Sequence, residues 1–152
     1  MDLEAVAGAL HLLAAVLWVG GMAFAHTVLR PAALPLDPPV RLGLWRRVMG
    51  RFLPLAGLSV AVLLASGHLL VALRFGGFAT APLYVHAMTG IGWVMALVYA
   101  VLVTGPARRF FAAVDGGAGE TAAAALARMR RLVATNLVLG LLLVALAGAR
   151  FG

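Results

Sequence analysis

Residues 11–18 read HLLAAVLW and residues 86–93 read HAMTGIGW, so one pattern occurs twice at an offset of 75 positions (86 minus 11). Each copy has a histidine, a small residue four positions later and a tryptophan seven positions later, which we call the His–small–Trp signature. The two copies are His11, Ala15, Trp18 and His86, Gly90, Trp93. On an α-helix these three positions stack on one face. A histidine repeated in two apolar helices predicts a pair of equivalent ligands for something bound between them.

The repeat extends beyond the two signatures. The same offset aligns Val19 with Val94, Phe24 with Tyr99, Pro31 with Pro106 and Ala32 with Ala107. The sequence therefore predicts two helical hairpins in tandem. In such a repeat the first and third helices run in the same direction and are related by an axis along the membrane normal.

The composition indicates a membrane protein. Hydrophobic residues make up 64% of the chain, charged residues 11%, and the mean hydropathy is +1.05. Four apolar runs are long enough to cross about 30 Å of hydrocarbon at roughly 20 residues each. They lie near residues 5–29, 52–73, 83–105 and 133–150. We expect an all-α integral membrane four-helix bundle, with residues 1–152 forming a single transmembrane domain.

The arginines indicate how the helices are oriented. Arg74 and Arg150 lie near the ends of the second and fourth runs, and the other ten lie in or beside the first and third connections. These ten are Arg30, Arg41, Arg46, Arg47, Arg51, Arg108, Arg109, Arg128, Arg130 and Arg131. Positive residues in short loops mark the cytoplasmic side, so we expect both termini to face outward. Topology and lipid contact thus explain the net charge of +7, and we do not expect nucleic acid as a partner.

Several kinds of site are excluded by composition. The chain has no cysteine, which excludes disulfides, thiolate metal sites, covalently attached haem and iron–sulfur clusters. All twelve basic residues are arginine, so lysine chemistry is also excluded. Histidine is left as the principal ligand type.

Haem b fits the paired histidines, because it takes two imidazoles on opposite sides of a flat ring. We predict His11 and His86 as its axial ligands. Ala15 and Gly90, one helical turn deeper, would let the haem ring approach the backbone. Trp18 and Trp93 would line the space that the ring occupies. Arg74 and Arg150 lie at the outer surface, where they either pair with the propionates or anchor the helices at the interface.

The other two histidines have no equivalent partner. His68, near the outer end of the second run, is interpreted as an interfacial residue, a propionate or water contact, or a replaceable third ligand. His26 lies 15 residues from His11, about 22 Å along a helix, and is interpreted as an interfacial residue at the opposite face.

Copper is the alternative to haem. His11, His68 and His86 lie near one surface and offer three imidazoles, which suit copper. Met22 and Met95 lie deeper, and their thioethers could extend a path for the softer copper state.

Residues 11–21 resemble the CopD-like family of small bacterial integral membrane proteins. Further motifs that carry the resemblance are Arg51-Phe52-Leu53-Pro54, Ser66-Gly67, Tyr84-Val85-His86-Ala87-Met88 and the segment 130–137. The similarity covers nearly all of the chain. It implies a role in copper handling in a bacterial membrane. We expect this to be the inner membrane, and the arginine distribution then places both termini in the periplasm.

The first apolar run also looks like the HemJ-type protoporphyrinogen oxidase, a four-helix membrane protein associated with haem b. That resemblance implies ligation by a first-helix histidine, which matches His11, and by a third-helix lysine, where this chain has His86. Our first hypothesis is a b-type cytochrome that transfers electrons between the quinone pool and a periplasmic redox protein or small oxidant. An oxidoreductase activity is compatible with this hypothesis. The alternatives are copper transport and the HemJ-like oxidase. Gly140 and Gly148 are compatible with a homo-oligomer or with tight packing inside one chain.

Overall fold

The computed structural model describes residues 2–149, which form six α-helices and contain no β-strand. The helices are α1 (Leu3–Phe24), α2 (Arg30–Ala33), α3 (Pro38–Phe75), α4 (Leu83–Thr104), α5 (Pro106–Asp115) and α6 (Gly119–Gly148). A π-helical turn at Ala25–Leu29 joins α1 to α2, and a short 3-10 helix at Phe78–Thr80 lies between α3 and α4.

Local sequence explains where the helices begin and end. The Asp2 carboxylate accepts a hydrogen bond from the Glu4 backbone N–H at 3.3 Å and caps α1. Proline fills the first position of α3 at Pro38 and of α5 at Pro106, where its missing N–H costs nothing. Gly76, at a φ of +71°, ends α3 in the left-handed conformation that favours glycine.

Four helical segments are long and apolar enough to cross a membrane. They are Leu3–Ala33, Pro38–Phe75, Leu83–Asp115 and Gly119–Gly148. They coincide with the four predicted spans and extend them chiefly where most of the arginines lie. Large apolar side chains such as Leu12, Leu58 and Leu97 are more than half exposed, which suits contact with lipid. The predicted fold is confirmed, and the chain is a multi-pass membrane protein.

The two ends of the bundle differ in chemistry. At one end α1 and α4 begin and α3 finishes, and His11, His68 and His86 lie toward it; we call it the histidine end. The opposite end carries His26 and the ten arginines of the two connections, and we call it the arginine end.

The helices pack as two hairpins. α1 packs chiefly on α3, while α4 and α5 both pack on α6, and the hairpins meet through α1 with α6 and α3 with α4. α1 and α4 therefore lie on the diagonal of the bundle, where the Trp18 and Tyr99 rings meet edge to face at 6.4 Å. The Tyr99 hydroxyl donates to the Leu53 carbonyl at 2.8 Å, which ties α4 to α3. This arrangement agrees with the predicted tandem hairpins.

The larger cluster of buried residues lies toward the arginine end. One buried cluster there includes Trp45, Met49 and Phe110, and a second cluster in the middle of the bundle contains Trp18, Met22, Met95 and Leu137 among others. Toward the histidine end the buried residues include small ones such as Ala7 and Ser66.

Candidate metal site at the histidine end

His11 lies half-buried on α1 and is held by α3. Its Nδ1 lies 2.9 Å from the Oγ of Ser66, which is buried. The Ser66 hydroxyl has a single proton, and it donates that proton to the Val62 carbonyl at 2.6 Å. The hydroxyl therefore accepts from His11, which places the imidazole proton on Nδ1. In the neutral ring the Nε2 of His11 therefore keeps its lone pair, as a metal ligand requires.

Gly67 makes the approach of His11 to α3 possible. A Cβ atom at Gly67 would lie 3.2 Å from Cε1 of the His11 ring, closer than side chains normally pack. The Ser66-Gly67 step thus supplies both the hydrogen-bond acceptor for the imidazole and the space that the ring occupies.

His68, two residues further along α3, makes the same kind of hydrogen bond as His11. Its Nδ1 lies 2.7 Å from the backbone carbonyl oxygen of Leu64. Because a carbonyl oxygen can only accept, Nδ1 carries a proton, and in the neutral ring Nε2 then has the lone pair. Metal-binding histidines commonly donate their second ring nitrogen to a carbonyl or similar acceptor in this way.

His68 and His86 belong to one aromatic cluster, which we define as His68, Phe78, His86 and Trp93. The His68 ring lies 5.6 Å from Phe78 and 6.0 Å from Trp93, and the Phe78 ring lies 5.7 Å from His86. The structure thus brings together three of the predicted site residues. Sequence reasoning missed Phe78; the available signal was an aromatic residue in the short connection between two histidine-bearing helices.

The two copies of the His–small–Trp signature face different surroundings. In the first copy Trp18 is only 4% exposed, and Ala15 is half-buried. In the second copy Trp93 is 52% exposed, while His86 and Gly90 are also exposed. A Cβ atom at Gly90 would meet nothing within 4 Å.

The reason for this difference is the face that α4 buries. Val85, Met95 and Leu102 point into the bundle, so the face that carries the second signature points outward. The signature in α1 points inward at Trp18. Ligation of one group by His11 and His86 together stays a prediction.

Arg74 and Arg150 were predicted at the outer surface as propionate contacts or interfacial anchors. Arg74 donates from Nε to the Glu4 carboxylate at 2.6 Å, so it links the end of α3 to the start of α1. Arg150 lies outside the described residues. A propionate contact by either side chain stays a prediction.

His26 and the possible groupings of metal-ligating side chains are the last features of the site. His26 lies in the π-helical turn at the arginine end, away from the other three. Within residues 2–149, no group of three or more histidine, cysteine, aspartate or glutamate side chains could hold one metal ion as the side chains are placed.

The family of this protein follows from a comparison with known sequence families. The family described as "CopD: Copper resistance protein D" matches residues 46–150. The match covers well over half of the chain. The protein belongs to the CopD family. No curated protein and no solved structure gives a match.

The family match covers part of the candidate site and indicates which ligand to expect there. It includes His68, Ser66 and His86 and leaves His11 outside. The family description names copper, and it supports neither haem b nor electron transfer. The resemblance to the CopD-like family is thus confirmed, whereas the HemJ-type resemblance has no support from the comparisons.

Proposed function

We propose that this CopD-family protein binds copper at its histidine end and passes it across the membrane. The observation that carries the proposal is the shared hydrogen bonding of His11 and His68, whose Nδ1 atoms both lie against an acceptor, so that Nε2 is the ligand atom of each neutral ring. A copper ion is the cargo here, so a site with few ligands suits binding that must later be reversed.

The chemistry of the site suits copper. Imidazole is a good ligand for copper ions, and a neutral imidazole binds metal without placing a charged side chain in the bilayer. Ser66 and the Leu64 carbonyl act behind the two rings, because they fix the tautomers and orient the Nε2 atoms. His86, on the far side of Phe78, is the third imidazole available at this end.

Buried thioethers provide the next ligands along the bundle. Met22 and Met95 are both 2% exposed and belong to the cluster in its middle. Beside them Asn136 donates to the Met95 carbonyl at 3.1 Å, while its own Oδ1 is buried without a hydrogen-bond partner among residues 2–149. Thioether sulfur binds the softer state of copper. We propose that a copper ion moves from the imidazoles toward these sulfur atoms.

The proposal includes an orientation. Because arginine-rich connections remain on the cytoplasmic side, the histidine end faces the periplasm of a bacterial inner membrane. Copper is then received from outside at His11 and His68.

Haem b is the second candidate. The available Nε2 of His11 favours it, because an axial ligand needs the same tautomer as a copper ligand. Its second predicted ligand, His86, is exposed on the outward face of α4, so a haem held by both would require the helices to rearrange. Electron exchange with quinone or a periplasmic redox protein belongs to this candidate alone.

The composition of the purified protein separates the two candidates. Protein purified in detergent from cells grown with copper is expected to contain copper by elemental analysis and to show no Soret band. A stoichiometric Soret band with no copper would overturn the copper proposal and favour the cytochrome.

A further inference from the structure

We propose that Arg30, Arg41 and Arg130 form a binding site for a phosphate group at the arginine end. Arg130 is half-buried on α6, and its guanidinium carbon lies 5.9 Å from the centre of the Trp45 ring. Its Nε is buried and has no hydrogen-bond partner within residues 2–149. Burying part of a charged group without a hydrogen-bond partner is costly, and an anion bound at the accessible part of the same guanidinium would offset that cost.

The charges around Arg130 are of the same sign. Arg30 and Arg41 both act on Arg130 as neighbouring positive charges. Arg41 is held in place, because it donates from Nη1 to the Leu34 carbonyl at 3.0 Å. Positive charges from three helices therefore act on one region, and two of them, Arg30 and Arg130, also line a common recess.

Within residues 2–149 no carboxylate forms an ion pair with these three arginines. Within residues 2–149 the ion pairs join Arg46 to Asp115 and Arg74 to Glu4. None of these three arginines takes part in them. An anion from outside the chain would offset the repulsion between the three positive charges.

A recess beside Arg130 gives such an anion access. Arg30, Arg130, Trp45 and Met49 are among the residues that line it. It opens to the exterior, and its inner cavity of about 20 Å³ has room for one water-sized atom group. One phosphate oxygen can therefore enter it, while the other oxygens stay at the mouth.

The neighbouring backbone is unusual in the same place. The π-helical turn at Ala25–Leu29 directly precedes Arg30, and Ala25 lines the recess. π-Helical turns are frequent at functional sites. Here the turn sets the rotation of the chain at Arg30 relative to α1.

Phosphate is the anion that suits these donors best. The planar guanidinium fork matches phosphate oxygens, and three arginines provide charge for one or two negative charges. The phosphate belongs either to an anionic lipid headgroup or to a free phosphate. The proposal is independent of copper binding at the opposite end.

Thermal stability of the full chain in a non-ionic detergent tests the site. The protein is titrated with phosphatidylglycerol in mixed micelles, with inorganic phosphate, and with diacylglycerol, which lacks phosphate. We expect one phosphate source to raise Tm in a saturable manner and diacylglycerol to leave it unchanged. Arg130→Gln should weaken the apparent affinity by about tenfold or more, because the variant loses a charge-assisted hydrogen bond to the phosphate.

Two further variants make the outcome decisive. Arg128→Gln removes an exposed arginine from the same helix and should keep the wild-type affinity. Arg30→Gln alters an exposed residue and provides the test if Arg130→Gln does not fold. Stabilisation by phosphatidylglycerol alone identifies a lipid site, and stabilisation by inorganic phosphate identifies a free anion. The proposal is overturned if neither stabilises the wild type, or if Arg128→Gln loses as much affinity as the other two variants.

Discussion

At the scale of single residues, one hydroxyl group determines the chemistry of His11. Ser66 donates its proton to Val62 within α3 and accepts from the imidazole, so the histidine has one tautomer. Without that acceptor the ring would lose both its orientation and its fixed proton. The hydroxyl lies behind a proposed metal ligand, where such partners commonly tune affinity.

The first prediction concerns this hydroxyl. Ser66→Ala removes the acceptor for His11 Nδ1 and should lower Cu(I) affinity by about 10- to 100-fold, the usual cost of losing such a partner. A competition titration with a Cu(I) chelator measures the change.

Ser59 offers a matched control on the same helix. It is buried, and its hydroxyl donates to the Leu55 carbonyl at 3.0 Å, the same kind of bond that Ser66 makes to Val62. No histidine is bonded to it, so Ser59→Ala should keep the wild-type affinity. Equal losses in the two variants would mean that Ser66 acts on folding and not on the ligand.

At the scale of helices, close contacts between neighbours depend on glycine. A Cβ atom at Gly21 on α1 would lie within 3 Å of the Phe52 ring on α3, and one at Gly140 on α6 would lie 2.8 Å from Val19. Gly140, which the sequence left open for oligomer contacts, therefore packs within the chain. Gly20, next to Gly21, has open space where its Cβ would be.

The second prediction compares these adjacent glycines. Gly21→Ala should destabilise the protein by about 1–3 kcal/mol, the typical cost of overpacking a core. Gly20→Ala should leave stability unchanged or raise it by up to about 1 kcal/mol, because alanine favours a helix. Thermal unfolding in detergent measures both, and a Gly21→Ala variant as stable as Gly20→Ala would contradict the packing of α1 on α3.

The sequence predicted where the membrane-spanning helices lie, but it did not predict which face of each helix is buried. Long apolar runs without charge indicated four spans, and Pro31, Pro106 and the paired signatures indicated two hairpins. However, every side of these helices is apolar, so periodicity did not reveal that α4 buries Val85, Met95 and Leu102. The outward position of His86 followed only from the packing of the hairpins against each other.

At the scale of the whole molecule, the two ends differ in charge and chemistry. The arginine end is basic and contains the larger buried cluster, and the histidine end carries imidazoles, aromatic rings and the Glu4–Arg74 pair. Charge distribution in the sequence predicted this division. It did not predict which partner each arginine takes, because the pairs Glu4–Arg74 and Arg46–Asp115 join residues 70 and 69 positions apart.

The third prediction tests the orientation that follows from this division. Because the chain has no cysteine, single cysteines can be placed at Ala79, at the histidine end, and at Ala118, at the arginine end. A membrane-impermeant maleimide should label Ala79→Cys in intact cells and Ala118→Cys only after permeabilisation. The reverse pattern would place the histidine end in the cytoplasm.

The most direct test of the central claim is the Cu(I) affinity of the purified protein with its histidines replaced one at a time. We expect His11→Ala and His68→Ala each to lower the affinity by about a hundredfold or more, since each removes a ligand nitrogen. His26→Ala, at the opposite end, should bind like the wild type. If the wild type does not bind Cu(I), or if His11→Ala and His68→Ala bind it as tightly as His26→Ala does, copper binding at the histidine end is contradicted.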